Sequence, residues 1–220
     1  MTYINLRLSE HISQEIQVGS VYGVGLNYAR HIDEMNSEKP NEPVVFLKPA
    51  SALLPGGGEL TYPLITQNLH HELELVVLLG QDLYQANADQ ARQAIMGCAI
   101  GLDLTLRDRQ SEAKAKGRPW SVAKGFAGSA PVSTFLPAEH LSNIQNLDLR
   151  LSVNGRVRQQ GNTRDMLFSV IDLMVYLSSV FQLKRGDLIF TGTPDGVDAL
   201  NLGDRVEACL ADLLSLQINI

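Results

Sequence analysis

The chain has 220 residues, a net charge of −6 and a hydrophobic fraction of 45%, which is typical of a soluble globular domain with a sizeable core. The acidic balance argues against nucleic acid or an anionic membrane as a partner, because both need a basic footprint. No stretch approaches the roughly 20 apolar residues of a membrane-spanning helix, and the first residues carry no signal-peptide pattern. Cys98 and Cys209 form no CxxC pair, so we expect two reduced thiols in a cytoplasmic protein.

The first candidate for chemistry is the stretch NYARHIDEM, in which His31 and Glu34 are three residues apart. One helical turn would bring both side chains to the same face. A carboxylate in contact with an imidazole fixes its tautomer and raises its basicity, as a general base requires. An exposed ion pair on a surface helix explains the same spacing without chemistry. The polar, proline-punctuated continuation predicts a mobile segment over His31–Pro43 that closes over a ligand.

The segment HHELELVVLLG predicts a buried strand that nevertheless contains two acidic residues, Glu72 and Glu74. Side chains two apart on a strand share a face, so both carboxylates point away from Leu73 and Leu75. Two neighbouring carboxylates in an apolar setting repel each other and cost several kcal/mol to desolvate unless a positive charge meets them.

A second acidic strand, AIGLDLTLRD, follows after a short helix that we predict from a cap at Asn87 or Asp89 to a stop at Gly97. Asp103 falls on the face opposite the leucines of this strand, with Gly101 leaving space beside it. Three carboxylates from two adjacent strands suit Mg²⁺ or Mn²⁺, which prefer oxygen ligands. The alternative, which the residues leave open, is that the acids lie on the wet face of an amphipathic sheet.

The remaining elements indicate one β-rich α+β domain over residues 1–220. Asn154-Gly155 between alternating flanks predicts a type I′ hairpin. The stretch TRDMLFSVIDLMVYLSSVF has helical spacing of its apolar residues and predicts a helix behind Thr163 as cap. Lys124 in AKGF and Thr193 in TGTPDGV lie at turns that can bind a carboxylate or oxyanion.

Six segments taken together, in chain order, resemble the fumarylacetoacetate hydrolase family, in its short acylpyruvase and oxaloacetate-handling branch. The resemblance runs from about residue 22 to about residue 197, and the segments that carry it are GLNYARHIDEM, EPVVFLKP, HHELELVVLLG, GLDLTLRDRQ, GRPWSVAKGF and FTGTPDGV. It implies a mixed, rolled β-sheet and sandwich of the family's C-terminal-domain type, and a homodimer. Ala127 departs from the pattern, because many members have an aspartate after this motif.

The resemblance also implies a role for each matching residue. The metal ligands fall on Glu72, Glu74 and Asp103, and the ion is expected to be Mg²⁺, with Mn²⁺ as the alternative. The catalytic group comprises His31, Glu34 and Lys124, and the substrate-binding group comprises Arg107, Gln110 and Thr193. Lys124 and the Thr193 loop are expected to neutralise the distal carboxylate or the oxyanion of a small 2-oxo acid substrate.

On this basis we expect a hydrolase that cleaves a C–C bond in 2,4-dioxo acids such as fumarylpyruvate or acetylpyruvate, through an enolate held by the metal. One alternative is an oxaloacetate decarboxylase or keto–enol tautomerase, and another is an isomerase or decarboxylase of dienedioates from aromatic degradation. The non-enzyme alternative is a metal-binding module that has lost catalysis, against which the presence of both His31 and Glu34 argues.

Overall fold

The computed structural model describes residues 1–34 and 38–220, and over these residues the fold is α+β and rich in strands, as predicted. The predicted mobile segment His31–Pro43 includes residues 35–37, which lie outside the described residues. The strands are β1 (Tyr3–Arg7), β2 (Ser13–Gln17), β3 (Val21–Gly25), β4 (Val44–Lys48), β5 (Leu53–Pro55), β6 (Gly58–Glu59), β7 (Leu69–His70), β8 (Leu73–Leu79), β9 (Ile95–Leu102), β10 (Thr105–Leu106), β11 (Ala130–Val132), β12 (Leu136–Pro137), β13 (Asp148–Val153), β14 (Arg156–Asn162), β15 (Leu188–Phe190), β16 (Ala199–Leu200), β17 (Arg205–Leu210) and β18 (Leu214–Asn219).

The helices are short and connect the strands. The α-helices are α1 (Ala29–Glu34), α2 (Ala88–Gln93), α3 (Arg107–Ala115), α4 (Ser121–Lys124) and α5 (Val170–Val180), and three 3₁₀ turns cover Ala50–Ala52, Ala138–His140 and Thr163–Asp165. Among the described residues, no helix is both long enough and apolar enough to cross a membrane.

A mixed eight-stranded sheet forms the centre of the fold, in the order β4-β3-β15-β8-β9-β11-β5, with β12 pairing beside β9. Strand β15 runs parallel to β3 and β11 runs parallel to β5, whereas β8 and β9 are antiparallel. A second, five-stranded sheet has the order β14-β13-β17-β18-β6. Two small sheets, β1-β2 and β10-β7-β16, complete the fold. The central sheet is therefore mixed and packs with a second large sheet, as predicted.

The central pair β8–β9 has apolar side chains on both faces, so it is buried on both sides. Leu73, Leu75 and Ile100 belong to the core that also contains residues of the five-stranded sheet and of α5. Val76 and Ala99 belong to a second core, under the β1–β2 hairpin. Full burial of an aliphatic side chain contributes about 1.5–3 kcal/mol, which makes this pair a rigid base for any group at its end.

The connection between β8 and β9 differs from the prediction at its end. Asn87 is the N-cap and forms a capping box with Gln90, as its sequence indicates. The helix stops at Gln93, however, and Gly97 lies inside β9 opposite Leu78. The predicted stop at Gly97 is wrong because the strand needs a residue without a side chain there: a Cβ at Gly97 would collide with the carbonyl oxygen of Leu136.

The hairpin and the long helix of the second half were predicted with different success. Asn154 and Gly155 have φ angles of +51° and +75° between β13 and β14, which is the type I′ turn expected from the dipeptide. Helix α5 begins later than predicted, after Ser169, whose side chain accepts from the backbone N–H of Asp172. Thr163 instead starts a 3₁₀ turn that Asn162 caps by accepting from the N–H of Arg164. The Thr163 hydroxyl is not available as a helix cap, because it accepts from the N–H of Leu147 and donates to the carbonyl of Ile144.

Asn27, just after β3, ties the loop that leads into α1 to two distant segments. Its buried amide nitrogen donates to the carbonyl oxygens of Thr191 (2.8 Å) and Phe168 (3.1 Å), and its oxygen accepts from the N–H of Phe168 (2.8 Å). Three backbone groups therefore depend on one side chain for their hydrogen bonds.

We expect Asn27→Ala to lower the free energy of unfolding by about 2–4 kcal/mol, because buried backbone groups left without partners cost about 1–3 kcal/mol each and partly re-solvate. Urea unfolding followed by fluorescence measures the change. Asn5→Ala, on an exposed position of β1, is the matched control and should stay within about 0.5 kcal/mol of the parent. Equal stability of the two variants would contradict this role of Asn27.

Candidate metal centre and active site

Three carboxylates meet where β8 begins and β9 ends. Glu74 lies opposite Gly101 in the strand pair, and the N–H of Asp103 donates to the carbonyl of Glu72 at 2.8 Å. Ligand atoms of Glu72, Glu74 and Asp103 all lie within 4.8 Å of one another, and all three side chains are buried. The alternative of a wet sheet face is therefore wrong for these residues.

Gly101 does not leave space for a ligand. A Cβ built there would lie 2.6 Å from Cγ2 of Val76 and 2.9 Å from the ring of Phe190. The glycine lets two neighbouring side chains pack across the sheet, and its place beside the acidic cluster reflects that packing.

Two buried lysines and an arginine surround the carboxylates. Lys124 Nζ donates to Glu72 Oε2 (2.7 Å), Asp103 Oδ2 (2.5 Å) and the hydroxyl of Thr105 (2.7 Å). An ammonium has three protons, so all of its donors are engaged. Arg107 Nη2 donates to Glu72 Oε1 at 2.5 Å.

Lys48, from the end of β4, completes the positive groups. Its Nζ lies 2.7 Å from Asp103 Oδ1 and donates to the carbonyl of Ser129 at 3.0 Å and to that of Lys124. The contact with Asp103 is an ion pair between two buried side chains, so Oδ1 of Asp103 faces a positive charge.

The pKa values of Glu72 and Glu74 are shifted in opposite directions because the nearby cations are unevenly placed. Burial alone would raise the pKa of Glu72, but Lys124 and Arg107 outweigh it and hold this pKa well below the usual range. Burial and the charges of Asp103 and Glu72 raise the pKa of Glu74 well above its usual range, and the N–H of Gly192, at 2.8 Å, offsets only part of this. Glu74 therefore lacks a sufficient positive partner.

The arrangement fits a divalent cation. The under-compensated Glu74 needs positive charge. The ligand atoms are carboxylate oxygens within 4.8 Å of one another, and hard ions such as Mg²⁺ and Mn²⁺ prefer such oxygens. Whether these residues act as ligands stays a prediction that the geometry permits.

His31 and Glu34 lie together on α1, with Nδ1 of the imidazole 3.3 Å from Oε2 of the carboxylate. His31 is buried, whereas the Glu34 side chain is 36% exposed. The backbone N–H of Gly196 also donates to both Glu34 oxygens, at 3.2 Å. The predicted pair therefore forms, and the TGTPDGV loop holds its acidic member.

A cleft joins this pair to the carboxylates. It is lined by His31 and Thr193, by Glu72, Glu74 and Lys124, by Arg107, Gln110 and Lys114 of α3, and by the apolar Val24, Leu26, Phe46 and Trp120. Every site residue predicted from the sequence therefore lines the cleft or, like Asp103 and Glu34, contacts a residue that does.

Three residues of this region were missed or left without a role by reasoning from the sequence. Lys114 follows Arg107 and Gln110 at i+7 and i+4 on α3, a spacing that places all three on one helix face, so the helical period could have found it. Lys48 carries the weak signal of a lysine at a strand end. Gln159 is buried in β14 and contacts Thr193, 34 residues away, and no local pattern predicts such a contact.

Buried carboxylates, lysines and an imidazole around one cleft of a strand-rich fold are typical of an enzyme active site. Residues 20–220 match the family described as fumarylacetoacetate (FAA) hydrolase C-terminal. The chain is 49% identical to the oxaloacetate tautomerase YcgM of Escherichia coli, covering 86% of this chain and 87% of that one. It is 44% identical to the mitochondrial oxaloacetate tautomerase FAHD1 of Homo sapiens, covering 90% and 89%.

Among solved structures, the chain is similar to the fumarylpyruvate hydrolase of Pseudomonas aeruginosa in complex with Mn²⁺ and pyruvate. The TM-score is 0.93 at 37% identity, covering 99% of this chain and 94% of that chain. The chain belongs to the fumarylacetoacetate hydrolase C-terminal family, and the predicted family and fold type are confirmed.

We expect Mg²⁺ or Mn²⁺ at 100 times its dissociation constant to stabilise the protein by about 2.7 kcal/mol, or roughly 5–10 °C in Tm for a chain of this size. Glu74→Gln should lose this gain, yet keep its stability in EDTA, because it removes an under-compensated buried charge. Thermal unfolding with and without ion measures both. Glu139→Gln, on the exposed 3₁₀ turn, should respond like the parent. A full metal-induced gain in Glu74→Gln would refute the assignment.

Proposed function

We propose that the chain is a divalent-metal-dependent enzyme that interconverts the keto and enol forms of oxaloacetate. The observation that supports this most is the cleft shared by the buried carboxylate cluster and the His31–Glu34 pair. Relatives at 44% and 49% identity that bear the name oxaloacetate tautomerase support the choice of substrate.

The reaction moves one proton between C3 and the oxygen on C2. It needs a base near C3 and positive charge near the C2 oxygen, where negative charge develops. A divalent ion held by Glu72, Glu74 and Asp103 would supply Lewis-acid stabilisation of that charge.

His31 is the proposed base. Its Nδ1 faces Glu34, so the neutral imidazole keeps its proton on Nδ1 and leaves Nε2 free to accept one. Glu34 fixes this tautomer and favours the imidazolium that forms when C3 gives up its proton. The backbone N–H of Gly196 holds Glu34 in place during the transfer.

Lys124 acts through the electrostatic field of its charge and not through a hydrogen bond to the substrate. Its three protons are shared among Glu72, Asp103 and Thr105, so it cannot donate to the substrate without losing one of them. Burial lowers its pKa but the two carboxylates raise it more, so the side chain stays positively charged beside Glu72 and Asp103.

The second carboxylate of oxaloacetate therefore needs another partner, and Lys114 is placed for it. It lies at the mouth of the cleft with Nζ 5.2 Å from the centroid of the Trp120 ring. No carboxylate of residues 1–34 or 38–220 forms an ion pair with it, whereas Lys116, two residues on, is paired with Glu112 at 2.6 Å. We assign the distal carboxylate to Lys114 in place of Lys124.

Hydrolysis of an acylpyruvate, the activity first expected from the sequence, is the second candidate. The similar structure named a fumarylpyruvate hydrolase, with Mn²⁺ and pyruvate, supports it. The same imidazole would then take a proton from water instead of from C3. Decarboxylation of oxaloacetate needs the same charge stabilisation without a base, so product analysis separates the three outcomes.

A homodimer is also proposed. Strand β4 forms one edge of the eight-stranded sheet, and Leu47 on it is 51% exposed. Beside it, Val44, Phe46, Trp120 and Phe181 line an apolar groove. An open edge next to apolar side chains favours association with a second copy, which sedimentation equilibrium measures directly.

We expect purified protein with Mg²⁺ or Mn²⁺ to speed the decay of enol-oxaloacetate absorbance without releasing CO₂. The His31→Ala variant should lower kcat about 10²- to 10⁴-fold and should retain the metal-induced rise in Tm. His140→Ala, on an exposed turn, is the control and should remain fully active. Pyruvate and fumarate formed from fumarylpyruvate at a higher kcat/KM would instead favour hydrolysis. Normal turnover by His31→Ala would remove the base from the proposal.

We expect Lys114→Met to raise KM for oxaloacetate about 5- to 20-fold, the scale of one charged contact at a partly open site, with little change in kcat. The inhibition constant of pyruvate should change less than about twofold, because pyruvate lacks the second carboxylate and cannot form this contact. Lys116→Met makes the same change on the same helix and should leave both constants unaltered. Equal weakening of oxaloacetate and pyruvate by Lys114→Met would contradict the assignment.

A further inference from the structure

Gln159 joins the two halves of the active site although it does not itself line the cleft. It lies in β14, fully buried. Its side-chain oxygen accepts from the N–H of Leu73 (3.0 Å), which stands between Glu72 and Glu74, and its nitrogen donates to the carbonyl of Pro194 (2.9 Å) in the TGTPDGV loop.

These two backbone contacts fix which way the amide faces. The N–H of Leu73 can only donate, so the atom beside it must be the side-chain oxygen. The carbonyl of Pro194 can only accept, so the atom beside it must be the nitrogen. A reversed amide would place its NH₂ group against the N–H of Leu73 and its oxygen against the carbonyl of Pro194, and both contacts would be repulsive.

The fixed amide then sets the direction of two further groups. Nε2 lies 2.8 Å from Thr193 Oγ1, and Oε1 lies 2.9 Å from His71 Nδ1. His71 must therefore carry its proton on Nδ1, and the hydroxyl of Thr193 must accept. With both amide protons and its oxygen engaged, Gln159 has no capacity to accept from Thr193 in return.

The proton of the Thr193 hydroxyl is consequently left to donate elsewhere. Thr193 lines the same cleft as His31 and Glu74, and no group in the described part of the chain accepts that proton. The hydroxyl is thus presented to the cleft as a donor, one residue from Gly192, whose N–H donates to Glu74 of the carboxylate cluster.

We propose that Gln159 is a positioning residue that turns the Thr193 hydroxyl proton toward the carboxylate next to the 2-oxo group of the bound acid. The inference rests on the proposed function only in taking a 2-oxo acid as the ligand, and it extends to any such acid whichever reaction follows.

The decisive variant is Gln159→Glu, which keeps the shape of the side chain and the acceptor for Leu73 but replaces the donor with a second acceptor. Burial raises the pKa of a glutamic acid to about 8–9, so at pH 9 at least half of the Gln159→Glu side chains are ionised. The ionised carboxylate accepts the Thr193 proton and draws it away from the cleft. We expect the Kd of pyruvate, measured by calorimetry with Mg²⁺, to rise about tenfold, the scale of one hydrogen bond to a charged group.

Thr193 variants separate positioning from mere structural support. Thr193→Val should weaken pyruvate about tenfold by itself, and adding Gln159→Glu should then cost less than about twofold more, because the group through which Gln159 acts is gone. Thr193→Ser restores the hydroxyl and should restore both affinity and sensitivity to Gln159→Glu. Gln160→Glu makes the same chemical change on the exposed face of β14 and should bind pyruvate like the parent.

An equal effect of Gln159→Glu in the parent chain and in the Thr193→Val variant would overturn the proposal. A Thr193→Ser variant that binds pyruvate as weakly as Thr193→Val would also overturn it. This comparison can be made even if the Gln159→Glu variant fails to fold. Protein that does not turn over oxaloacetate but shows the expected pattern with pyruvate would refute the proposed function and leave this inference standing.

Discussion

The mutual repulsion of three buried carboxylates is the interaction on which the rest of the site depends. Glu72 and Asp103 face each other just beyond the paired ends of β8 and β9, and Glu74 lies on the same face, inside β8. Placing such charges out of water costs several kcal/mol each unless cations and hydrogen bonds compensate them. Lys48, Lys124 and Arg107 compensate two of the three, so the cluster is held together while one member still lacks positive charge.

The strand pair that carries the cluster explains why it stays in place. The side chains of β8 alternate between two apolar cores, so a slip of one residue in the register with β9 would move the acids into a core and the leucines into the cleft. The hydrophobic packing of the sheet thus fixes the position of polar groups at its end. Rigidity of this kind is what a metal or anion site requires, because its groups must not separate under their own repulsion.

Local patterns predicted the parts of the site that lie on one helical turn or on two strands close in sequence. Alternation along the two acidic strands placed Glu72, Glu74 and Asp103 together, and the i, i+3 spacing placed His31 beside Glu34. The type I′ turn followed from Asn154-Gly155. Combining six short segments into one family gave the fold, which no single segment could have given.

What escaped prediction depends on long-range contacts. Helix α5 starts later than predicted because the hydroxyl of Thr163 accepts from the N–H of Leu147, a tertiary contact that the helical period does not reveal. Gly97 has the local pattern of a helix stop, yet the close approach of another strand decides its place in β9. Gln159 and Lys48 reach the site from strands far away in sequence, so neither spacing nor composition assigns them a partner.

The loop from Gly192 to Gly196 donates one backbone N–H to Glu74 and another to Glu34. One short turn thus holds the acid that lacks a cation and the acid that orients the imidazole, so neither carboxylate can shift without pulling on the peptide that anchors the other. The carboxylate cluster and the His31–Glu34 pair are therefore coupled through one turn, and a substitution that shifts this turn would displace both Glu74 and Glu34.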